Sequence, residues 1–283
     1  MKNHAASVRA RLLNLARTEN VEFQRMLVRF ANERLLFRIA SSDHGDRFVL
    51  KGATLFAVWM GKPHRATKDL DLLGRGEPDI EAMAAIFREI VAVECPEDGL
   101  TFDPAAIAGS FIREEARYIG VRLLIPADLA GARVALQVDV GLGDAVVPPP
   151  EDLELPSLLA LPAARMRVYP KEAVVAEKLE AMVILGLTNS RMKDYYDLDL
   201  LRRTYAFDDH LVDAIRATFA RRETPVPTTL PIGLSDAFAR DATKQVQWRA
   251  FLRKSGVGEG EPLERVVTGL RAWLWPVLEV VRR

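Results

Sequence analysis

Asp69 and Asp71, two residues apart, are the side chains of this 283-residue chain best placed to do chemistry. They lie in Arg65-Ala-Thr-Lys-Asp-Leu-Asp-Leu-Leu73, whose alternation of polar and apolar residues predicts a β-strand. On a strand they share one face, about 7 Å apart, while Leu70 and Leu72 point into the core. Two carboxylates at that spacing repel by roughly 2 kcal/mol at an effective dielectric of about 20, so stability alone does not favour the pair. A divalent cation between them reverses the sign, and Mg²⁺ combines a few carboxylates with phosphate oxygens and water. The competing reading is a solvated strand face.

Three other segments bear on that choice. Phe48-Val-Leu-Lys-Gly-Ala-Thr54 sets Gly52 between a short strand and a helix, where backbone amides and the Thr54 hydroxyl can cradle phosphates, with Lys51 and Arg65 offsetting their charge. An ordinary strand–helix turn has the same pattern. Gln137-Val-Asp-Val-Gly141 repeats the aspartate-between-apolar pattern, so a neighbouring strand can bring Asp139 in as a third carboxylate, as a two-metal site requires. Lys178 lies on a helix with Val175, Leu179 and Met182, as a phosphate ligand or a surface lysine lying along apolar neighbours. Downstream, Arg191-Met-Lys-Asp-Tyr-Tyr-Asp197 puts Asp194 and Asp197 on one helix face. Asp194 reads equally as an N-cap, and Asp197 as a partner for Lys193.

The elements that must position these residues follow from hydrophobic period and breakers. The first forty residues read as helix, with stripes at Val8, Leu12, Leu13 and Ala16 and at Phe23, Met26, Leu27 and Phe30, ending in the turn-forming run 41–46. Residues 48–50 read as strand, 53–60 as a helix broken by Gly61-Lys-Pro63, and 78–93 as an amphipathic helix. The stretch 95–104 reads as a loop, and 119–125 with 133–140 as a hairpin joined by a long turn through Pro126. Pro148-Pro-Pro150 is an extended connector. Helices are expected over 171–187, 194–204 and 209–222, from Ser235 to before Gly256, and from Pro262 onward.

Composition narrows the class. With 49% hydrophobic and 28% charged residues the chain has enough apolar surface to fold, which excludes disorder as its main state. No apolar run approaches membrane-spanning length, and the N-terminal residues carry no apolar secretory stretch. The single Cys95 allows no internal disulfide, disfavours a thiolate zinc site and fits a reducing, cytoplasmic setting. The zero net charge hides a pattern: residues 1–45 hold 8 basic against 4 acidic side chains, 46–162 hold 11 against 19, and 163–283 hold 20 against 16. An acidic middle between basic flanks suits a cation site facing a polyanion site, or scatter on solvated surfaces.

Taken together, the segments Phe48–Thr54, Arg65–Leu72, Glu177-Lys178 and Arg191–Asp197, in that order and spacing, resemble the AbiEii family of nucleotidyltransferase toxins, within the DNA polymerase β-like nucleotidyltransferase superfamily. The resemblance runs from about Phe23 to the last helix. It implies an α+β fold: a small mixed-sheet nucleotidyltransferase core (46–165) with an N-terminal helical segment (1–45) and a C-terminal helical lobe (166–283). It implies metal binding by Asp69 and Asp71, with Asp139 as the candidate third carboxylate. Gly52, Ala53 and Thr54 stand where the superfamily carries Gly-Ser, with Lys51, Gly52, Thr54 and Arg65 as candidate phosphate contacts. Lys178 becomes the triphosphate contact, and Lys193, Asp194 and Asp197 match the downstream element, with Asp194 its functional residue.

The activity implied is Mg²⁺-dependent transfer of a nucleoside monophosphate from a nucleoside triphosphate to an acceptor, the 3′ end of tRNA in some members. Asp139 or Asp194 would orient or deprotonate the attacking hydroxyl. The family is the toxin half of a bacterial toxin–antitoxin pair of the phage-defence type, whose usual partner is a winged-helix antitoxin encoded nearby. Arg202, Arg203, Arg221 and Arg222 are candidate contacts to an RNA backbone, or simply a solvated helix face. Two other readings remain: a phosphotransferase using the same triphosphate, and a catalytically silent partner-binding module, against which the intact Asp69-x-Asp71 argues.

Overall fold

A computed structural model describes residues 4–61, 64–65, 67–114, 118–257 and 260–283. Lys62 and Pro63 of the expected helix break and Ala66 of the aspartate motif lie outside the described residues. The chain divides into two units: Met1–Pro63 with Thr67–Gly143 and Glu151–Val168, and His64–Ala66 with Asp144–Pro150 and Tyr169–Arg283.

The first unit opens with two helices rather than one, α1 (His4–Thr18) and α2 (Phe23–Ser41). They part at Asn20, whose φ of 52° lies outside helical space. The strands are β1 (Val49–Lys51), β2 (Asp69–Gly74), β3 (Leu100–Phe102), β4 (Ala108–Glu114), β5 (Tyr118–Leu129), β6 (Ala132–Leu142), β7 (Glu151–Glu154) and β8 (Arg165–Val168). Helix α3 (Thr54–Met60) follows β1 and ends on Gly61 in the left-handed region; α4 (Ile80–Val91) follows β2, capped by the Asp79 carboxylate accepting from Ala82 N at 3.0 Å. The eight strands form one mixed sheet in the order β3-β5-β6-β2-β1-β8-β7, with β4 also on β5. β2 runs parallel to β6 and β1 to β8; the other pairs are antiparallel.

Alternation does the positioning. Leu70, Leu72, Val121, Leu123, Ile125, Val138 and Val140 are buried on one face, against which α2 and α4 pack. Asp69, Asp71, Arg122, Leu124, Gln137 and Asp139 therefore share the other. Two charges inside α2 break its apolar pattern with a buried partner: Arg34 and Arg38, one turn apart, donate to Asp98 at 3.1 Å and 2.6 Å, and Asp98 also accepts from Leu100 N.

Several expected boundaries move, each for a local reason. The hairpin turn is short, because β5 continues through Pro126 to Leu129 and β6 starts at Ala132. With Leu129 opposite Ala132, the backbone nitrogen of Pro126 points away from β6. On that outer side it falls between β4, which pairs residues 118–124, and β3, which pairs 127–129, so the missing N–H breaks no ladder. The expected loop 95–104 contains β3. The strands β4, β7 and β8 have no sequence signature: β7 is largely exposed, and β8 meets β1 at a single register pair.

The second unit is helical: α5 (Lys171–Leu185), α6 (Met192–Thr204), α7 (His210–Arg221), α8 (Asp236–Arg240), α9 (Ala242–Ser255) and α10 (Leu263–Val281). The helix expected from Ser235 to Gly256 is two, because Asp241 leaves helical backbone and its carboxylate caps α9 at Lys244 N (3.0 Å). α10 packs its buried Leu263, Val267, Leu270 and Leu274 face among α6, α7 and α8.

Candidate active site

In the first unit the sheet register writes the site. Across β1, β2, β6 and β5, Lys51 stands opposite Asp71, Asp71 opposite Asp139, and Asp139 opposite Arg122. One row back, Asp69 stands opposite Gln137 and Gln137 opposite Leu124. Like charges directly opposite each other destabilise a sheet, so the Asp71–Asp139 pair calls for compensation. Arg122 supplies part of it with a two-pronged bond: its Nε donates to Asp139 Oδ1 at 2.8 Å and its Nη2 to Oδ2 at 2.7 Å. The Gln137 amide donates to the same carboxylate at 3.3 Å. The Asp139 hydrogen bonds raise the pKa of Arg122; burial opposes this, and the charges of Asp139, Asp69 and Asp71 reinforce it.

Gly52 sits in the β1–α3 turn with φ at 75°, a backbone that side chains resist. A Cβ there would stand 1.9 Å from Asp71 Oδ2, so the carboxylate packs directly on the glycine. Thr54 begins α3, whose N-cap, Ala53, makes no side-chain cap bond. The seven-residue α3 has a weak axial dipole, and Lys51 stands opposite Asp71 on the neighbouring strand.

Among the described residues, no three His, Cys, Asp or Glu side chains gather into a cation cage. In this row both oxygens of Asp139 accept from Arg122. Asp69 and Asp71 stand two residues apart on β2, beside a glycine that lets Asp71 lie against the turn. Mg²⁺ is usually held by one or two carboxylates plus substrate phosphates, so these residues fit Mg²⁺ arriving with a triphosphate.

The second unit holds a buried ionic cluster. Lys178 on α5 donates to Asp194 Oδ1 at 2.6 Å and to Asp197 Oδ2 at 2.9 Å. Arg191 Nε donates to Asp194 at 2.7 Å. Arg65 clasps Asp197 through Nε (2.8 Å) and Nη2 (2.9 Å), and His64 Nε2 lies 2.7 Å from the same carboxylate, its ring stacked on Tyr196. Burial pushes both aspartates up, but Lys178 with Arg191 brings Asp194 below its usual value, and Lys178, Arg65 and His64 hold Asp197 well below. Burial pushes Lys178 down and the two aspartates more than restore it. His64 is lowered by burial, against the pull of Asp197.

Asp194, Asp197 and Lys178 lie on two helices as their spacing predicts; that they bind one another, and that Arg65, His64 and Arg191 join them, has no signal in the sequence. Arg122 was also missed; its signal was a charge at a polar position of a strand, which identifies no partner. Of the basic candidates, Arg202 and Arg203 pair with Asp199 at 2.6 Å and 3.2 Å. Arg222 pairs with Glu180, Asp144 and Glu177.

Residues 34–274 match the family described as nucleotidyl transferase AbiEii toxin, type IV TA system. No curated protein matches the chain. A crystal structure of JHP933 from Helicobacter pylori is 14% identical at a TM-score of 0.50, covering 89% of this chain and 91% of that one. A second H. pylori structure, described as a candidate nucleotidyltransferase, is 15% identical at a TM-score of 0.48, covering 89% and 94%. At such identity the first speaks to the fold alone.

Proposed function

Because the chain belongs to the AbiEii family of nucleotidyltransferase toxins of type IV toxin–antitoxin systems, we propose that it transfers a nucleoside monophosphate from a magnesium-bound triphosphate to an RNA hydroxyl. The 3′ end of tRNA is the proposed acceptor, phage defence the setting, and a winged-helix antitoxin in the cytoplasm the partner. No helix among the described residues is long and apolar enough to cross a membrane.

The observation that carries this reading is the Asp69–Asp71 pair on β2 with Asp71 seated against Gly52. Mg²⁺, when bound there, would neutralise charge on the phosphates and polarise the α-phosphorus. Asp69 and Asp71 would hold it, and the turn with Lys51, Gly52 and Thr54 would bind the phosphates. Lys178 and Arg65 are proposed to contribute positive charge through the cluster they form with Asp194 and Asp197. The acceptor oxygen forms a bond to the α-phosphorus, the α–β bridging bond breaks, and pyrophosphate leaves. Asp139 or Asp194 is proposed to orient the hydroxyl and take its proton.

The test is incubation of the protein and total cellular RNA with triphosphates labelled at the α or the γ position. The α label should enter RNA and the γ label should not; Asp69→Ala should abolish transfer while circular dichroism and melting stay near wild type. Movement of the γ label would establish a phosphotransferase, and transfer surviving in Asp69→Ala would remove the metal reading.

A further inference from the structure

Beside the ionic cluster of the second unit lies a basic face with two aromatic rings set into it. Helix α9 contains no acidic residue and four basic ones. Lys244 is buried, its Nζ donating to Gln247 Oε1 at 3.3 Å, while Arg249, Arg253 and Lys254 are exposed. Phe251, one turn before Lys254, packs on Tyr196 of α6 with ring centroids 5.7 Å apart, and Tyr196 stacks on His64. Both Phe251 and Tyr196 are half-buried, and Lys193, one turn before Tyr196, is exposed. Among the described residues Lys193, Arg249, Arg253 and Lys254 form no ion pair, because the neighbouring acids are engaged elsewhere: Asp194 and Asp197 by Lys178, Asp199 by Arg202 and Arg203, and Glu261 by Arg265. Cations suit the C-terminal end of a helix dipole, which accounts for Arg253 and Lys254. It does not account for Arg249 in mid-helix, and it disfavours Lys193 in the first turn of α6.

We propose that this face takes the single-stranded end of the acceptor RNA. Lys193 and Lys254 hold backbone phosphates, Phe251 and Tyr196 offer ring surface to unpaired bases, and Arg249 and Arg253 extend the attractive field around α9. The inference rests on the transfer reading above and names the surface through which that acceptor is held. Proteins hold single strands by combining positive charge along the backbone with aromatic side chains on which bases stack. A duplex keeps its bases stacked on one another, so the rings select for unpaired nucleotides. The location fits the chemistry: the Tyr196 ring meets His64, His64 meets Asp197, and Asp197 meets Lys178, which is proposed above to carry charge for the triphosphate.

The experiment is fluorescence anisotropy of a labelled single-stranded RNA of about 12 nucleotides, titrated with the full chain without triphosphate over a series of salt concentrations. Each phosphate contact on a single strand contributes about 0.7 to the slope of log affinity against log salt. Lys193→Gln and Lys254→Gln should therefore each lower that slope by about 0.7 and weaken binding about fivefold at about 0.1 M salt. Phe251→Leu should weaken binding by at least about fivefold and leave the slope unchanged, because stacking releases no counterions. A duplex of the same sequence should bind Phe251→Leu as it binds wild type. Arg282→Gln, an equal loss of charge at the end of α10, is the control and should move the slope by less than about 0.2. Slopes unmoved by both lysine variants, an Arg282→Gln shift as large as theirs, or a Phe251→Leu loss equal on single strand and duplex overturns the proposal. Phe251→Met takes the place of Phe251→Leu should the latter unfold, with the same expectation. The α-label assay separates the two layers. Wild type that holds RNA through these residues without labelling it sinks the transfer reading alone; label transfer whose KM for RNA is unchanged in both lysine variants sinks this surface alone.

Discussion

Gly52→Ala tests the proposed site where the backbone turn meets Asp71. The substitution has two costs that can be separated. The first is conformational: at φ of 75°, an added Cβ costs about 1–2 kcal/mol. For a domain of this size that lowers the melting temperature by about 2–4 °C per kcal/mol. The second is a collision, since the new carbon would stand 1.9 Å from Asp71 Oδ2, 2.6 Å from its Cγ and 2.7 Å from its Cβ. That oxygen is about 1.5 Å inside ordinary van der Waals separation, so the carboxylate must move by that order. Misplacement of a reacting group by 1 Å can cost about 100-fold in rate, so α-label transfer should fall at least that far in a protein that still folds. Gly61→Ala is the matched control. Gly61 has nearly the same φ, 73°, but a Cβ added there would meet nothing within 4 Å among the described residues. It should lose a similar few degrees of melting temperature and keep its transfer rate. If both variants lose activity alike, or Gly52→Ala stays within threefold of wild type, the packing of Asp71 on the glycine does not set the site.

Other consequences concern the buried charges. Asp197→Asn leaves Lys178, Arg65 and His64 facing a neutral amide, and should cost about 3–5 kcal/mol in urea unfolding; an unchanged midpoint would show that the cluster contributes nothing to stability. Asp98→Asn should cost a similar amount by stranding Arg34 and Arg38 on α2, while leaving triphosphate binding per folded molecule intact. For His64, burial sets the folded pKa below its ordinary 6.5, so the folded state binds fewer protons than the unfolded one. Its contribution is present above pH 6.5 and is lost as pH falls through the lowered value; urea midpoints between pH 7 and pH 5 should drop more for wild type than for His64→Gln, and equal slopes would exclude this. Asp194 and Asp197 act lower on the scale: both folded values lie below 3.8, so their contribution is full above pH 3.8 and is lost only under stronger acid, a loss that should be smaller in Asp197→Asn, where only Asp194 still titrates.

What the sequence determined by itself was local. Period-two alternation put Asp69 and Asp71 on one face of β2 and Leu70 and Leu72 on the other, because side chains on a strand alternate whatever the strand pairs with. Helical period and caps located α5, α6 and α7 to within a few residues, since those signals are carried within one turn. Tertiary structure decided the partners. Arg122 meets Asp139 only because the two-residue turn at Ala130-Gly131 sets the β5–β6 register, and a slip of one residue would send Arg122 to the core face. His64 and Arg65 reach Asp197 across more than 130 positions of chain, and Arg34 and Arg38 reach Asp98 across 60 or more, separations over which no periodicity carries information. A charge pattern along the chain shows which face a side chain takes; which opposite charge it meets there is settled by the packing of distant segments.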